Sequence, residues 1–175
     1  MTSLNHIETL IKKRFRSGMI LGFAPSSQEE SLLVPSDAFL ALVQFLQRDP
    51  DAAIDLLVDI SAIEHISSSQ TCFFKPNHPE PLIEVFYLFR SSKLGYRLRL
   101  SLLLTPKENS VPSLSSIFFG ATWLEQELWD LLGVYPEGHP HLKRLILYNG
   151  FSGHPLRRRY PISKDQAQVP IYKTE

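Results

Sequence analysis

A single cysteine, Cys72, stands among the 175 residues, so the chain can close no internal disulfide and can build no thiolate cluster. Ligation of an iron–sulfur cluster, which draws on about four cysteines, is excluded for this chain, and a lone thiol suits a reducing compartment. Long hydrophobic runs are missing too. Stretches such as Phe86 to Phe89 and Leu102 to Leu104 fall far short of the roughly 20 apolar residues that span a bilayer, so any membrane contact is expected to come through partners. Lys12, Lys13, Arg14 and Arg16 are followed by no apolar h-region, so no secretory leader is expected and the chain is placed in the cytoplasm. Catalytic motifs are equally scarce. There is no Gly-x-Ser-x-Gly elbow and no His-x-x-x-His helix pair, and Gly133, Gly138, Gly150 and Gly153 do not link a strand to a helix at phosphate-loop spacing. Those glycines read as loop hinges.

What is present is an ordinary globular composition, 43% hydrophobic and 21% charged, at a length that suits one domain with one core. The net charge of zero hides a division. From His139 onward there are seven Lys or Arg against two Asp or Glu, so a basic C-terminal segment follows an acidic body. Such asymmetry fits a segment that docks on something acidic. Nucleic acid is not the expected partner, because a dedicated binder carries a basic domain with interleaved aromatics.

Thr2 or Ser3 can cap a first helix with Leu4, Ile7, Leu10, Ile11 and Phe15 on one face and Gly18 as its stop. Met19 to Ala24 and Ser31 to Val34 read as a hairpin of short strands. Ser36 can cap a second helix through Arg48, ended by Asp49-Pro50. Ile54 to Ile63 is a buried strand, His65 to Pro81 a loop, and Leu82 to Phe89 with Tyr96 to Thr105 the longest hairpin. In the last strand Arg97 and Arg99 alternate with Leu98 and Leu100, so one face is core and the other wet or paired. Pro106 to Pro112 reads as a polar connector, Leu114 to Phe118 as a helical turn, and Ala121 to Leu132 as a helix. The order α-β-β-α-β-β-β, then a helix and an extended tail, predicts an α+β two-layer domain with a mainly antiparallel or mixed sheet. The division expected is a body over residues 1–149 and a basic tail over 150–175.

Chemistry concentrates in Glu125 to Pro161. On the helix Leu124, Leu128, Leu131 and Leu132 form a stripe expected to bury, while Glu127 and Asp130 share another face and are expected to stay partly exposed, pairing with arginines that fix the path of the tail. Glu125 lies about 200° around the helix from Glu127 (two steps of 100°), so the two cannot face each other across a glycoside. His139, His141 and His154 are simplest as turn residues, since a zinc site needs three or four ligands at set geometry. Trp123 and Trp129 read as packing anchors. Lys143, Arg144, Arg157, Arg158 and Arg159 suit bidentate pairing with carboxylates at a protein interface.

In chain order this stretch carries Glu125, Glu127, Asp130, Leu131, Leu132, Gly133, then Gly138, His139, Pro140, Leu142, Lys143 and Arg144, then Gly153, Pro155, Leu156, Arg157, Arg158, Tyr160 and Pro161. It resembles the family of the 30-kDa subunit of respiratory complex I, the C-type subunit of the bacterial enzyme, together with the related subunits of group 4 membrane-bound hydrogenases. The likeness runs from about Leu57 to Pro161, and it departs at Gln126, where the family has Arg, and at Arg159, where it has Asp. The resemblance implies a non-catalytic assembly subunit in the peripheral arm of a proton-translocating NADH–quinone oxidoreductase. It would carry no cofactor of its own, with iron–sulfur clusters, flavin and quinone in partner subunits. Its partners would be the quinone-site large subunit, of the D type, and neighbouring iron–sulfur subunits, on the cytoplasmic side of the inner membrane. The alternatives are the equivalent subunit of a group 4 hydrogenase or formate hydrogenlyase-type complex, and, from another class, a free-standing hydrolase using Glu127, Asp130 and His139.

Overall fold

The computed structural model describes residues 7, 9–11, 13, 22–25, 30–65, 82–105, 107–163 and 165–166. A five-stranded sheet is its backbone, in the order β1-β2-β5-β4-β3, with β1 Gly22–Pro25, β2 Glu30–Leu33, β3 Leu56–His65, β4 Leu82–Arg90 and β5 Arg97–Leu104. All neighbours are antiparallel except β2 and β5, which run parallel, so the sheet is mixed. The expected hairpins β1–β2 and β4–β5 both form. The α+β architecture agrees with the reading from sequence.

The core follows from strand periodicity. On β4, Ile83, Val85, Tyr87 and Phe89 point to one face, and on β5 Leu98, Leu100, Leu102 and Leu104 do the same; all eight are buried. Helix α1, Ser36–Arg48, lays Ala38, Phe39, Leu42, Val43 and Leu46 against them, with the Phe39 and Tyr87 rings 4.5 Å apart. Of the expected first helix, Ile7, Thr9, Leu10, Ile11 and Lys13 are helical, and Ile7 and Ile11 are buried in the same core. Its two ends, most of the 65–81 loop and residues 167–175 lie outside the described residues.

The opposite sheet face carries a polar cluster centred on Glu84. Glu84 accepts hydrogen bonds from Arg99 Nη2 (3.0 Å) and Ser101 Oγ (2.8 Å), and it contacts His65 Nε2 at 2.8 Å. Arg99 is thus paired, as its alternation with leucine predicts. Burial alone would raise the Glu84 carboxyl, but His65, Ser101 and Arg99 together hold it below the usual range.

Three expectations shift. Ser36 does not cap α1: Pro35 occupies the cap position in an extended conformation with no side-chain bond, and Ser36 is the first helical residue. Ile54 is buried but not in β3, because its N–H bonds back to Leu46 O at 3.1 Å and anchors the chain to α1 before the strand begins. The supposed connector before Pro112 contains a strand, β6 Ser110–Pro112, paired in parallel with β7 Tyr135–Glu137. That pairing joins segments on either side of helix α2, Ala121–Leu132, so no local pattern announces it.

Candidate functional site at the C-terminal end of α2

An α-helix leaves its last four carbonyls without intrahelical partners. In α2 these belong to Asp130, Leu131, Leu132 and Gly133, and each is met from elsewhere. His154 Nδ1 donates to Asp130 O at 3.0 Å, Leu156 N–H to Leu131 O at 3.0 Å, Arg157 Nε to Leu132 O, and Asn109 Nδ2 to Gly133 O. Three of the four donors come from the segment after residue 150. That segment is the C-terminal cap of the helix.

Gly133 makes the turn possible. Its φ of 70° lies in the left-handed region, its N–H closes on Trp129 O, and a Cβ there would sit 2.5 Å from His154 Cδ2. Glycine serves both needs at once, a left-handed cap and close approach of the histidine ring.

Asp130 is the hub. Its residue is 0% exposed, with Oδ1 accepting from Arg144 Nη1 at 2.7 Å and Oδ2 accepting from three consecutive N–H groups, Leu145 (3.1 Å), Ile146 (2.8 Å) and Leu147 (2.9 Å). Burial by itself would raise the carboxyl, yet these three N–H groups and the guanidinium outweigh it and hold Asp130 below the ordinary aspartate value. Arg144 also donates through Nη2 to Phe151 O at 2.9 Å, and its guanidinium carbon lies 5.4 Å from the Trp129 ring centroid. One ion pair therefore ties α2 to both 144–147 and 151.

The second acid behaves oppositely. Glu125 is also 0% exposed, but its oxygens meet Ser113 Oγ and Leu114 N–H, each at 2.6 Å, and among the described residues no guanidinium or ammonium is bonded to it. Burial raises its carboxyl above the usual glutamate value, and the Ser113 and Leu114 bonds and nearby His139 only partly counter this. A raised folded-state value means that the unfolded chain releases this proton first. Stability from the group is therefore full below about pH 4 and declines as pH rises through the folded value. Glu125→Gln cannot ionise, so the stability of wild type minus that of the variant should fall as pH rises above about pH 4 in denaturant titrations. A difference independent of pH would show an ordinary carboxyl.

The structure corrects the expected helix faces. Asp130, expected to be partly exposed beside Glu127, is buried, while Glu127 is exposed; Leu124 and Leu131, expected to be buried, are only half-buried. The cause is that α2 packs on the sheet with one side and is covered by the 139–160 chain on the other, so polar residues are buried against that chain's backbone. Gln126 is buried and donates through Nε2 to His141 O at 2.7 Å. His139 bridges Thr122 O (Nε2, 3.0 Å) and the N–H of His141 (Nδ1, 3.2 Å), placed there by the positive-φ turn at Gly138. Glu127, Asp130 and His139 thus have separate surroundings: no hydrogen bond joins any two of them among the described residues. No group of three or more His, Cys, Asp or Glu among those residues could hold a metal ion.

The arginine run divides. Arg157 turns inward as a helix cap, whereas Arg158 and Arg159 are exposed, with the Arg158 N–H on Glu64 Oε2 at 2.8 Å. The described part of the basic tail is therefore attached to the body by more bonds than an independent extension would make. Pro140, Leu156 and Pro161 are exposed, and Gly153 and Pro155 are half-buried. Asn109, Ser113 and Glu64 were not legible as partners, because each lies 12 or more residues from the group it serves.

Comparison with known proteins follows the same segments. The family described as respiratory-chain NADH dehydrogenase, 30 Kd subunit, matches residues 32–166. The C-type subunit of NADH-quinone oxidoreductase from Xanthobacter autotrophicus is 32% identical over 145 residues, covering 83% of this chain and 64% of that protein. Its counterpart from Cereibacter sphaeroides is 34% identical over 142 residues, 81% and 65%. This chain thus spans a little under two thirds of the length of those relatives. Among solved structures, the trypsin-resistant fragment of Nqo5 superposes with a TM-score of 0.62 at 19% identity, over 78% of this chain and 98% of the fragment. A chain of an archaeal respiratory membrane complex, the membrane-bound sulfane sulfur reductase, gives 0.63 at 18%, over 82% and 75%. Both likenesses concern the fold.

Proposed function

This chain belongs to the respiratory-chain NADH dehydrogenase 30 Kd subunit family, and from that premise we propose that it is a non-catalytic assembly subunit in the peripheral arm of an NADH–quinone oxidoreductase. Its segment from Glu125 to Pro161 docks on the quinone-site subunit, and cofactors reside in neighbouring chains. The observation that carries this reading is the Asp130 clamp. By drawing the N–H groups of Leu145, Ile146 and Leu147 inward, it leaves the side chains of Leu145 and Ile146 exposed beside exposed Lys143. A buried ion pair that holds two aliphatic side chains in water, with Arg158 and Arg159 also exposed on the same C-terminal segment, is the anatomy of an interface: an apolar centre with a charged rim. Electron transfer and quinone chemistry depend on fixed geometry between neighbours, which a rigid bracket supplies. Among the described residues no helix is long and apolar enough to cross a membrane; in this reading the chain meets the membrane through its partners, on the cytoplasmic side.

A related hydrogenase-type or formate-oxidising complex is the second reading, supported by the fold of the sulfane sulfur reductase chain. The relatives named for NADH-quinone oxidoreductase, up to 34% identical, favour the first. Affinity purification of the tagged chain from its native membranes decides it. Recovery of a quinone-site subunit with NADH-oxidising neighbours is expected, and substitution of Arg158 and Arg159 by Ala should weaken that recovery and make the remainder less sensitive to salt. Recovery of hydrogenase subunits would favour the second reading, and recovery of none would overturn both.

A further inference from the structure

Helix α2 has a third face, which neither the core nor the C-terminal cap uses. Phe119, just before the helix, is 89% exposed and Trp123 is 71% exposed. Glu127, one turn further on, is exposed as well. Their spacing of four places Trp123 and Glu127 on one stripe, and the turn bond from Thr122 N–H to Phe119 O at 3.2 Å carries the stripe back to Phe119. Two large aromatics in water at one helix end are unusual for a finished surface.

We propose that this face of α2, formed by Phe119, Trp123 and Glu127, receives an arginine-bearing segment of a neighbouring subunit. The proposal rests on the subunit reading above and adds a second contact, separate from the basic tail. Charge decides the occupant. Aromatic faces are electronegative and attract guanidinium groups, and Glu127 adds a full negative charge, unpaired among the described residues. The same helix shows what such a site takes: Trp129 and Asp130 together hold the guanidinium of Arg144. Trp123 has no cation and no ring against it among the described residues. A second copy of this chain would set carboxylate against carboxylate across a two-fold axis. An anionic lipid surface would meet the same repulsion.

The test uses the native complex. The full chain, tagged, carries a photo-crosslinking benzophenone side chain in place of Trp123, and crosslinked peptides are sequenced from the purified complex. The expected adduct lies on another subunit, in a segment with Arg or Lys beside the crosslinked position. In parallel, Glu127→Arg in the otherwise unaltered chain should lower recovery of the complex at least about tenfold, as loss of an interface hot spot does, while the melting temperature of the isolated chain stays within about 2 °C of wild type. An adduct on a second copy, on lipid or on a segment without a cation overturns the proposal, as does full recovery with Glu127→Arg. If the unsubstituted chain brings down no other subunit, the subunit reading itself has failed and this contact with it.

Discussion

Asp130→Ala is expected to lower the melting temperature of the isolated chain by roughly 6 to 20 °C. Removing one member of a buried ion pair costs about 3 to 5 kcal/mol, and in a domain of this size each kcal/mol is worth about 2 to 4 °C. The loss is large because four donors converge on one carboxylate: Arg144 and the N–H groups of Leu145, Ile146 and Leu147. Without it a half-buried guanidinium and three amides are left without that acceptor. Glu127→Ala, on an exposed position, is expected to change stability by less than about 0.5 kcal/mol. The contrast excludes a generic effect of removing acid from the helix. Acid titration supplies a second signature. Since the folded Asp130 carboxyl lies below its ordinary value, the unfolded chain takes up the proton first as pH falls. Stability from the group is complete above about pH 4 and lost as pH drops through the folded value. The variant lacks that part of the acid limb. A melting temperature unchanged in Asp130→Ala would show that the clamp does not hold the fold.

Truncation after Asn149 is expected to destabilise the domain severely rather than release a separable tail. The cut removes His154, Leu156 and Arg157, the donors to Asp130 O, Leu131 O and Leu132 O, and also Phe151 O, which Arg144 uses. Each buried carbonyl left without a donor costs about 1 to 3 kcal/mol, and water will recover part of that where the new surface is open. A loss of several kcal/mol is comparable with the whole stability of a typical domain, about 5 to 15 kcal/mol. The truncated chain should therefore show a broad, low-temperature transition by circular dichroism and fast amide exchange in the last turn of α2. Reading composition alone, a proline-rich cationic tail has little apolar surface to offset its ordering entropy, and truncation should then leave the domain intact. Full retention of the wild-type melting temperature would favour that simpler view and make the cap incidental.

Much of the fold was legible because it rests on local repeats. The 3.6-residue stripe Phe39, Leu42, Val43 and Leu46 set the buried face of α1, and the two-residue alternation in β4 and β5 set the core side of the sheet. The bounds of α2, Ala121 to Leu132, were legible too, with Gly133 just past the end as its left-handed cap. The ordered motifs from Glu125 to Pro161 were enough to point to the family that the matching of residues 32–166 establishes. Which polar residues are buried was not. Glu125, Gln126 and Asp130 occupy helix positions that a hydrophobic stripe leaves to solvent, and nothing within one turn of them says otherwise. Their burial depends on chain remote in sequence, the 139–160 segment and the Ser113–Leu114 turn, which bring hydrogen-bond partners 11 to 24 residues away. Hydrophobic periodicity is a property of neighbours along the chain, so the sequence by itself determined the elements and their apolar faces. Pairing between a buried carboxylate and remote N–H groups is a property of neighbours in space, so only the tertiary structure decided that Asp130 is an anchor, that Glu125 is bonded by Ser113 and Leu114, and that Glu127 is the acid left facing outward.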